Sequence, residues 1–519
     1  MSAKKTALLS VSDKTGIVEF AIGLSELGWD ILSSGSTAQV LRQAELSFRD
    51  VSELTGAAAG TSTELLAGRV RLLQPKLFAG ILADLTDARH AKDLEREDIP
   101  SIDLVAANLY PLSEVLSGNP SGADVLDFLD VAGSALLRAA ARNYPRVLAL
   151  CDPKDYPAIL EALRQGSVSK ERRQALGSKA FHYVAYYDST VAQYLGSGFE
   201  HLPEELVMGL KKAVDLPYGE NPHQRAALYR LSGARPWGLN AAAVVHGRPL
   251  NFNHYLGMDL ACELAGEFRE PACVMVRHTN PAGAAVADRP AEAARLAYRS
   301  DPAGCTGAIA AFNRPVDEET AKALAPENLE CIAAPEFSAP ALDILRKKKD
   351  LRLVCVPSLL LFPEEIDIKA VSGGLLVQEK DHPTVSPERR IASKRKPTDL
   401  ESAALEFAWR VAKHTLTHAA VLARGMVTLG IAGGQTARRD AVRLALSKSQ
   451  ERHPIVSPAL PLALASDGPL GPAHIREAAS SGVSAVIEPG GSPEDAEAVR
   501  LCDELHLCLV FTGMRHYRH

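Results

Sequence analysis

The sequence predicts an α/β protein with more than one domain. Short apolar runs typical of buried strands alternate with amphipathic helical segments along most of the chain. Such alternation is typical of parallel sheets with helices on both faces. The chain has 519 residues, with 46% hydrophobic and 23% charged residues. A globular chain of this length exceeds one hydrophobic core, so roughly two to four domains are expected.

The first part of the chain predicts one parallel sheet. An apolar strand at residues 7–11 is followed by an amphipathic helix at 16–27. Further strands are predicted at 30–33, 102–107 and 147–151, and further helices at 37–44 and 135–142. The stretch LGSGF at 195–199 is rich in chain-breaking residues and marks the predicted domain boundary.

Beyond residue 199 the alternation continues and predicts a second α/β region. The predicted strands are at 272–276, 307–312, 331–334, 352–356, 419–422, 428–431, 485–487 and 508–511, and the predicted helices are at 291–298, 401–412 and 437–446. The segment VSGGLLVQ at 371–378 lies midway and indicates a division into two subdomains. No short repeat is visible in the sequence.

Charge and cysteine usage argue against several classes of function. The net charge of −6 gives no electrostatic reason to expect a nucleic acid or an anionic membrane as partner. The eight cysteines are scattered, without Cys-x-x-Cys or zinc-site spacing. We therefore expect reduced thiols and no metal. No apolar run approaches a membrane span, and the start lacks a signal-peptide apolar region, so we expect a cytoplasmic protein.

Two hydroxyl-rich turns follow the first two predicted strands. The first, SVSDKTG at 10–16, offers Ser12, Lys14 and Thr15 beside a helix start. The second, SSGSTA at 33–38, offers its own small and hydroxyl residues: Ser34, Gly35, Ser36 and Thr37. Exposed amides at a helix start, hydroxyls and one ammonium group can bind a phosphate. The alternative for the first turn is a simple helix cap by Ser12 or Asp13. Successive parallel strands end at one edge, which favours the phosphate site.

Other polar residues are predicted near the same edge. Arg69 and Arg71 add cations, and Tyr110 comes soon after the strand at 102–107. Asp130 and Arg142 flank the next helix, where the alternative for the arginine is a solvated helix face.

The last eight residues, TGMRHYRH at 512–519, form a basic and aromatic tail directly after an apolar strand. The carboxyl edge of an open α/β sheet is where ligands bind. Together with His223 and His278, the tail indicates a second site for a phosphorylated anion. A solvated basic tail is the alternative.

An ordered series of motifs resembles a known two-part family. In the first part these are SVSDKTG at 10–16, GSTA at 35–38, GRV at 68–70, NLYP at 108–111 and LRAAARN at 137–143, and together they resemble the IMP cyclohydrolase domain. In the second part YGENPHQ at 218–224, HTNP at 278–281, AFNR at 311–314, GGQ at 433–435 and the tail resemble the AICAR transformylase domain. The whole chain thus resembles the bifunctional purine-biosynthesis family.

The resemblance implies a fold, two reactions and their reactants. It implies a methylglyoxal-synthase-like parallel-sheet domain at 1–199 and an α/β domain of two cytidine-deaminase-like subdomains at 200–519. The second domain would transfer a formyl group from 10-formyltetrahydrofolate to AICAR, and the first would close formyl-AICAR to IMP with loss of water. The reactants would be small molecules, with no metal, and the protein would be a homodimer.

The resemblance also implies roles for single residues. In formyl transfer His278 would accept a proton and Arg277 would lie beside the developing oxyanion. In ring closure the catalytic residues would be Tyr110, Asp130, Arg71 and Arg142. The nucleotide-binding residues would be those of the two turns together with Arg69, Tyr218, His223, Asn280, Gln435, Arg515 and Tyr517.

Several motif positions depart from the family pattern. Arginine replaces lysine at 277, 71 and 142, which keeps the charge but cannot transfer a proton. The family's aromatic loop SDAFFPF reads SDGPLGP at 466–472, which removes stacking surface. Three interpretations follow: an active bifunctional enzyme, a relative with one activity lost or its substrate changed, or a non-catalytic purine-nucleotide-binding protein.

Overall fold

The computed structural model describes residues 4–55, 70, 72–112, 115, 122–196, 202–232, 238–357, 366–381, 389–451 and 456–519. The chain forms two compact units. Unit 1 comprises Met1–Lys211 and Tyr229–Arg235, and unit 2 comprises Lys212–Leu228 and Pro236–His519. The predicted boundary at residue 199 lies outside the described residues. No described helix is both long enough and apolar enough to cross a membrane.

Unit 1 contains a five-stranded parallel sheet in the order β3-β2-β1-β4-β5. The strands are β1 (Thr6–Val11), β2 (Asp30–Ser33), β3 (Arg49–Asp50), β4 (Ile102–Asn108) and β5 (Leu148–Leu150). The helices are α1 (Ile17–Glu26), α2 (Gly35–Gln43), α3 (Val51–Thr55), α4 (Pro75–Leu82), α5 (Ala88–Arg96), α6 (Gly122–Asp127), α7 (Val131–Arg142), α8 (Tyr156–Arg164) and α9 (Lys170–Gly196), with a 3₁₀ turn at Pro153–Asp155.

Both faces of this sheet are buried, which explains the continuous apolar runs of its strands. On β1, Leu8 joins a core with α4, α7 and α9, whereas Ala7 and Leu9 join a second core with α1, α2 and α8. The sequence prediction of a parallel sheet with helices on both faces is therefore confirmed for this unit.

Unit 2 contains most of the remaining elements. Its strands, together with two that contain the division between the units (β6 and β7), are β6 (Leu210–Leu216), β7 (Ala226–Leu231), β8 (Ala243–His246), β9 (Ala272–Arg277), β10 (Asn280–Val286), β11 (Ala308–Phe312), β12 (Leu329–Ala334), β13 (Arg352–Cys355), β14 (Ile366–Val371), β15 (Gly374–Glu379), β16 (Arg390–Ile391), β17 (Ala420–Arg424), β18 (Val427–Ala432), β19 (Leu462–Ser466), β20 (Ala485–Glu488) and β21 (Cys508–Phe511).

The helices of unit 2 are α10 (Phe252–Gly266), α11 (Pro290–Ser300), α12 (Pro302–Cys305), α13 (Glu318–Leu324), α14 (Ala339–Leu345), α15 (Asp399–Lys413), α16 (Arg438–Glu451), α17 (Pro472–Ser480) and α18 (Asp495–Glu504), with a 3₁₀ turn at Gly238–Asn240.

The main sheet of unit 2 has twelve strands in the order β16-β21-β20-β19-β17-β18-β10-β9-β11-β12-β13-β8. It is built from two halves with one pairing scheme. In half A (residues 252–355) the hairpin β9–β10 is followed by β11, β12 and β13, with β9 antiparallel to β11 and the last three strands parallel. In half B (residues 399–511) β17–β18 and β19, β20 and β21 repeat this scheme. The hairpin β14–β15 lies between the halves in sequence, where the division was predicted.

The strand directions bring several loops to one edge of this sheet. Strands β18, β19, β20 and β21 run in the same direction, and β10 runs antiparallel to β18. The turn between β9 and β10 therefore lies at the edge where β18–β21 end. A core shared by α10 and α15 covers one face of both halves and holds them together. We call the sheet edge where β18–β21 end, and where the β9–β10 turn lies, the shared edge.

Candidate active sites

In unit 1 the two hydroxyl-rich turns meet, as the strand order predicts. The Lys14 ammonium lies 3.1 Å from the Ser36 hydroxyl and 3.2 Å from the Ser12 carbonyl oxygen. The Thr37 hydroxyl accepts the Val11 N–H at 3.0 Å and donates to the Val11 carbonyl at 3.1 Å. The Thr37 hydroxyl is buried and already makes these two hydrogen bonds, so the role of Thr37 is to join the two turns. Burial lowers the pKa of the Lys14 ammonium, and the charge of Asp13 opposes this effect.

Both helices at this edge begin without a hydrogen bond from a capping side chain. Helix α1 follows Gly16, which has a φ of 67°, and α2 follows the buried Ser34. Neither Ser12 nor Asp13 caps α1; the Asp13 carboxylate instead accepts the Thr15 N–H at 2.9 Å and its hydroxyl at 2.6 Å. The first-turn amides of α1 and α2 are therefore arranged as in helix-terminal anion sites.

The end of β4 fixes the first turn. The Asn108 side-chain oxygen accepts the N–H groups of Ser12 at 2.6 Å and Asp13 at 2.7 Å, and its amide donates to the Asp13 carbonyl at 3.1 Å. This role of Asn108 was not predicted. A polar residue at the end of a central strand was the available signal.

Tyr110 and Asp130 lie close to this strand end. Tyr110 is 40% exposed, and its ring stacks on Phe128 with 4.9 Å between centroids. Asp130 caps α7 by accepting the Gly133 N–H at 2.7 Å, and its own N–H donates to the Tyr187 hydroxyl at 2.9 Å. Burial raises the pKa of the Asp130 carboxyl, although the Gly133 N–H opposes the shift. A carboxyl that stays protonated more readily can donate a proton.

The predicted arginines are less closely grouped. Arg142 is exposed and is the last residue of α7, about 18 Å along the helix axis from its beginning at Asp130. Arg69 and Arg71 lie outside the described residues.

In unit 2, His278 lies at the tip of a strained hairpin. Arg277 of β9 pairs with Asn280 of β10, so His278 and Thr279 alone form the turn. Their φ angles are 50° and 57°, the left-handed conformation that two-residue turns usually assign to Asn-Gly. Each non-glycine residue in this conformation costs roughly 1 kcal/mol or more. Both Arg277 and His278 are exposed at the shared edge, as predicted for a ligand site.

The segment before β17 and the C-terminal tail hold this hairpin. The Thr279 carbonyl accepts a bond from the Arg518 guanidinium at 3.1 Å. The Asn280 side-chain oxygen accepts the Leu416 N–H at 3.0 Å, and the Thr417 N–H donates to the Arg518 carbonyl at 2.9 Å. Asn280 therefore fixes the hairpin with the oxygen of its amide.

A charged cluster at the same edge was missed by sequence reasoning. The Arg438 guanidinium contacts Asp467 at 2.5 Å, the Ser466 hydroxyl at 2.8 Å and the His418 ring at 2.7 Å. Asp467 is fully buried, and its second carboxylate oxygen has no hydrogen-bond partner among the described residues. Burial lowers the pKa of His418, and Arg438 lowers it further. The predicted Gln435 contributes its backbone carbonyl, which accepts the backbone N–H of His418 at 3.4 Å.

The tail is fixed on the protein and is not a loose basic segment. The His516 ring contacts the Asp381 carboxylate at 2.7 Å and packs near Trp409, with 5.3 Å between ring centroids. Alternate residues point the other way: Arg515 and Tyr517 are exposed, and the guanidinium of the first lies 5.1 Å from the ring of the second. The prediction of a tail fixed near a strand end is confirmed.

Tyr218 and His223 lie on a loop next to α10. The Tyr218 hydroxyl accepts the Asn251 amide at 2.7 Å, and Asn251 caps α10. His223 is exposed in a turn closed by the Gly219 N–H, which donates to the Gln224 carbonyl at 2.8 Å. Neither Tyr218 nor His223 forms a described hydrogen bond with the His278 hairpin. The part of the chain that the structure describes has no group of three or more His, Cys, Asp or Glu side chains able to hold a metal ion.

Comparisons with known proteins match most of the chain. A family model described as "AICARFT/IMPCHase bienzyme" matches residues 140–448, which is more than half of the chain, and a model described as "MGS-like domain" matches residues 16–132.

Curated relatives match along the full length. Each is called bifunctional purine biosynthesis protein PurH. The protein from Persephonella marina is 40% identical over 522 residues, covering 99% of this chain and 100% of the relative. That from Chloroflexus aurantiacus is 42% identical over 519 residues, covering 99% and 98%. That from Desulfitobacterium hafniense strain DCB-2 is 41% identical over 535 residues, covering 99% and 100%. The chain belongs to the AICARFT/IMPCHase bienzyme family.

Proposed function

We propose that this chain catalyses the last two steps of IMP biosynthesis. It transfers a formyl group from 10-formyltetrahydrofolate to AICAR and then closes formyl-AICAR to IMP with loss of water. We place ring closure in residues 1–199 and formyl transfer in residues 200–519. The similarity along the full chain supports both activities, and the position of His278 at the shared edge carries the assignment of formyl transfer.

In formyl transfer, His278 accepts the proton that the 5-amino group of AICAR loses as its nitrogen attacks the formyl carbon. The bond from the formyl carbon to N10 of the folate then breaks, and the folate nitrogen takes up a proton. A positioned general base of this kind contributes roughly 10²–10⁴-fold to a rate. Arg277 precedes His278 and is exposed at the same edge, so its guanidinium can stabilise the oxyanion without exchanging a proton.

The nucleotide of the transformylase site is assigned to residues at the shared edge. Arg515 and Tyr517 form its exposed wall, and Gln435 and Asn280 hold the surrounding backbone. Tyr218 and His223 are assigned to the same substrate from their loop. The loop at 468–472 supplies no aromatic ring, and its Leu470 is buried with 2% exposure. We therefore assign stacking on a substrate ring to Tyr517.

In ring closure, positioning supplies much of the acceleration because the reaction is unimolecular. The phosphate is assigned to the meeting turns, with Ser12, Lys14, Thr15 and Ser36 facing it and with Ser34, Gly35 and Thr37 shaping the loop. Tyr110 and Asp130 are assigned to proton transfer, supported by the raised pKa of the Asp130 carboxyl. Arg71 supplies a catalytic cation, and Arg69 binds the nucleotide. Arg142 is not assigned to this centre, because it ends α7 about 18 Å along the helix axis from Asp130.

The test of the transformylase assignment is His278→Ala. We expect turnover of AICAR with 10-formyltetrahydrofolate to fall about 10²–10⁴-fold. Ring closure of supplied formyl-AICAR, followed by IMP absorbance, should be unchanged. His506→Ala is the matched control, because His506 is also exposed and also has a positive φ, of 55°. Unchanged transformylase turnover in His278→Ala would remove His278 from the mechanism. Loss of turnover in the unmutated protein would favour an altered substrate.

A homodimer is the proposed assembly. The hairpin β14–β15 has both faces largely exposed, and its apolar side chains include Val371, Leu375 and Leu376, which are 47%, 55% and 61% exposed. A two-stranded hairpin is at best marginally stable in water, so a covering partner is expected. Light scattering should give twice the 55.5 kDa chain mass. Leu375→Glu should shift that mass toward one chain; a single-chain mass for the unmutated protein would refute the dimer.

A cytoplasmic location is proposed with it. All eight cysteines are free, and seven of them are buried. Burial raises the pKa of several of these thiols, for example that of Cys331 to about 12, which keeps them protonated and unreactive. Free thiols are typical of proteins from a reducing compartment. Mass determination with and without a thiol-alkylating reagent under denaturing conditions should show eight reactive thiols.

A further inference from the structure

The turn that carries His278 has a conformation that its own residues do not favour. His278 and Thr279 have φ angles of 50° and 57°. For a β-branched residue such as Thr279 a positive φ is an outlier, because the branched side chain crowds the backbone. Such conformations persist only where the surrounding structure holds them.

Arg518 provides that hold from outside the hairpin. Its guanidinium donates to the Thr279 carbonyl at 3.1 Å and approaches the His414 carbonyl at 3.5 Å. Its own carbonyl accepts the Thr417 N–H at 2.9 Å. One residue at the end of the tail therefore links the hairpin tip to the backbone at 414–417, which lies between α15 and β17.

Carboxylates near Arg518 favour its charged guanidinium, the group that bonds to the hairpin. Burial lowers the pKa of Arg518, and the carboxylates of Glu263, Asp259 and Asp367 oppose that shift. Arginine stays protonated under these conditions, so these acidic groups attract its guanidinium. Arg518 is half-buried while its neighbours Tyr517 and His519 are exposed, which is the alternation of an extended chain.

We propose that Arg518 is a positioning residue for formyl transfer, holding the His278–Thr279 turn so that the His278 imidazole faces the substrate. This inference rests on the proposed role of His278. It also links two parts of the site: the segment that presents Tyr517 to the nucleotide fixes the hairpin that presents His278.

The experiment compares Arg518→Ala and Arg518→Lys with the unmutated protein, measuring kcat and the KM values for AICAR and 10-formyltetrahydrofolate. Displacing a catalytic group by about 1 Å can lower the rate about 10²-fold. We therefore expect the kcat of Arg518→Ala to fall about 10- to 100-fold, with little change in either KM. Arg518→Lys should recover part of kcat, because an ammonium can still donate to the Thr279 carbonyl.

The second arm repeats Arg518→Ala in a Thr279→Gly background. Glycine adopts a positive φ without steric cost, so the turn no longer depends on Arg518 and the loss of kcat should be smaller. Arg410→Ala is the matched control: Arg410 also donates to a backbone carbonyl, that of Glu267 at 2.8 Å, but away from the hairpin. The kcat of Arg410→Ala should be unchanged. Melting temperatures and ring closure of formyl-AICAR report whether each variant remains folded.

Each outcome decides the proposal. The proposal is overturned if kcat is unchanged in Arg518→Ala or if only KM changes. It is also overturned if Arg518→Ala loses as much kcat in the Thr279→Gly background as in the unmutated background. If His278→Ala retains full turnover, the proposed role of His278 fails instead, whatever the Arg518 variants show. The proposal is supported if Arg518→Ala lowers kcat, if Arg518→Lys recovers part of it, and if the loss of kcat is smaller in the Thr279→Gly background.

Discussion

The buried Glu488 carboxyl at the end of β20 should make unit 2 less stable as the pH rises. Glu488 is fully buried, one of its oxygens accepts the Leu470 N–H, and the other has no partner among the described residues. Burial raises its pKa from 4.5 to about 8, although the Leu470 N–H opposes the shift. The folded protein therefore holds a proton that the unfolded chain releases above pH 4.5. Stability is full below about pH 4.5 and falls as the pH rises toward about 8.

The size of the effect follows from the two pKa values. A difference of about 3.5 pH units corresponds to about 5 kcal/mol of lost stability above pH 8, and to about 3 kcal/mol at pH 7. Glu488→Gln has nearly the same shape, does not titrate and can still accept the Leu470 N–H. We expect it to stabilise unit 2 by about 3 kcal/mol at pH 7 and to be nearly neutral at about pH 4.5.

Urea unfolding of both proteins between about pH 5 and pH 8 measures the difference. Glu401→Gln is the control with the opposite sign. Burial alone would raise the pKa of Glu401, but the Arg395 guanidinium, the Thr398 N–H and the Ser484 hydroxyl lower it to about 2. Its contribution is present above about pH 4.5 and lost as the pH falls toward 2, so Glu401→Gln should cost about 3 kcal/mol throughout the tested range. A Glu488→Gln effect that stays constant or shrinks with rising pH would refute the reasoning.

Two further substitutions test the local geometry of each site. Lys14→Ala should weaken IMP binding by calorimetry about tenfold or more while moving the melting temperature little, because a charge-assisted bond is worth roughly 1.5–3 kcal/mol; Lys76→Ala is the control, and equal binding would count against the phosphate site. Gly468→Ala should destabilise unit 2 in urea, because its Cβ would lie 2.1 Å from the Arg438 guanidinium and 2.8 Å from the Tyr517 hydroxyl. Displacing Arg438 would leave the buried Asp467 unpaired, a change worth up to about 3–5 kcal/mol. Gly196→Ala, where no atom lies within 4 Å, should have little effect, and a stable Gly468→Ala protein would contradict the packing.

Much of the N-terminal site could be predicted because its parts are local. The turns at 10–16 and 33–38 each follow a short apolar strand, and parallel neighbours must end at one edge. The 3.1 Å contact between Lys14 and Ser36 joins residues only 22 positions apart. Asn108 could not be predicted in the same way, since the amides that it holds lie 95 and 96 positions before it.

The transformylase edge shows where sequence reasoning stops. The motif at 278–281 identified His278, but nothing near it in sequence reveals the left-handed turn or the hold by Arg518, 239 positions away from Thr279. The ion pair of Arg438 with Asp467 likewise depends on where β19 ends relative to α16. The repeated pairing of the two halves was implied only by the family resemblance, because the same strand order forms from dissimilar side chains.

By itself, the sequence determined the strand and helix alternation, the parallel sheet of unit 1, the turns that close it and the family to which the chain belongs. These depend on the spacing of apolar residues and on the backbone preferences of neighbours, which act over a few positions. Only the tertiary structure decided which distant groups share an edge, which tail residues point inward and which buried carboxyls have partners. Those outcomes depend on packing between segments far apart in the chain, and burial then sets the charge state of groups such as Glu488.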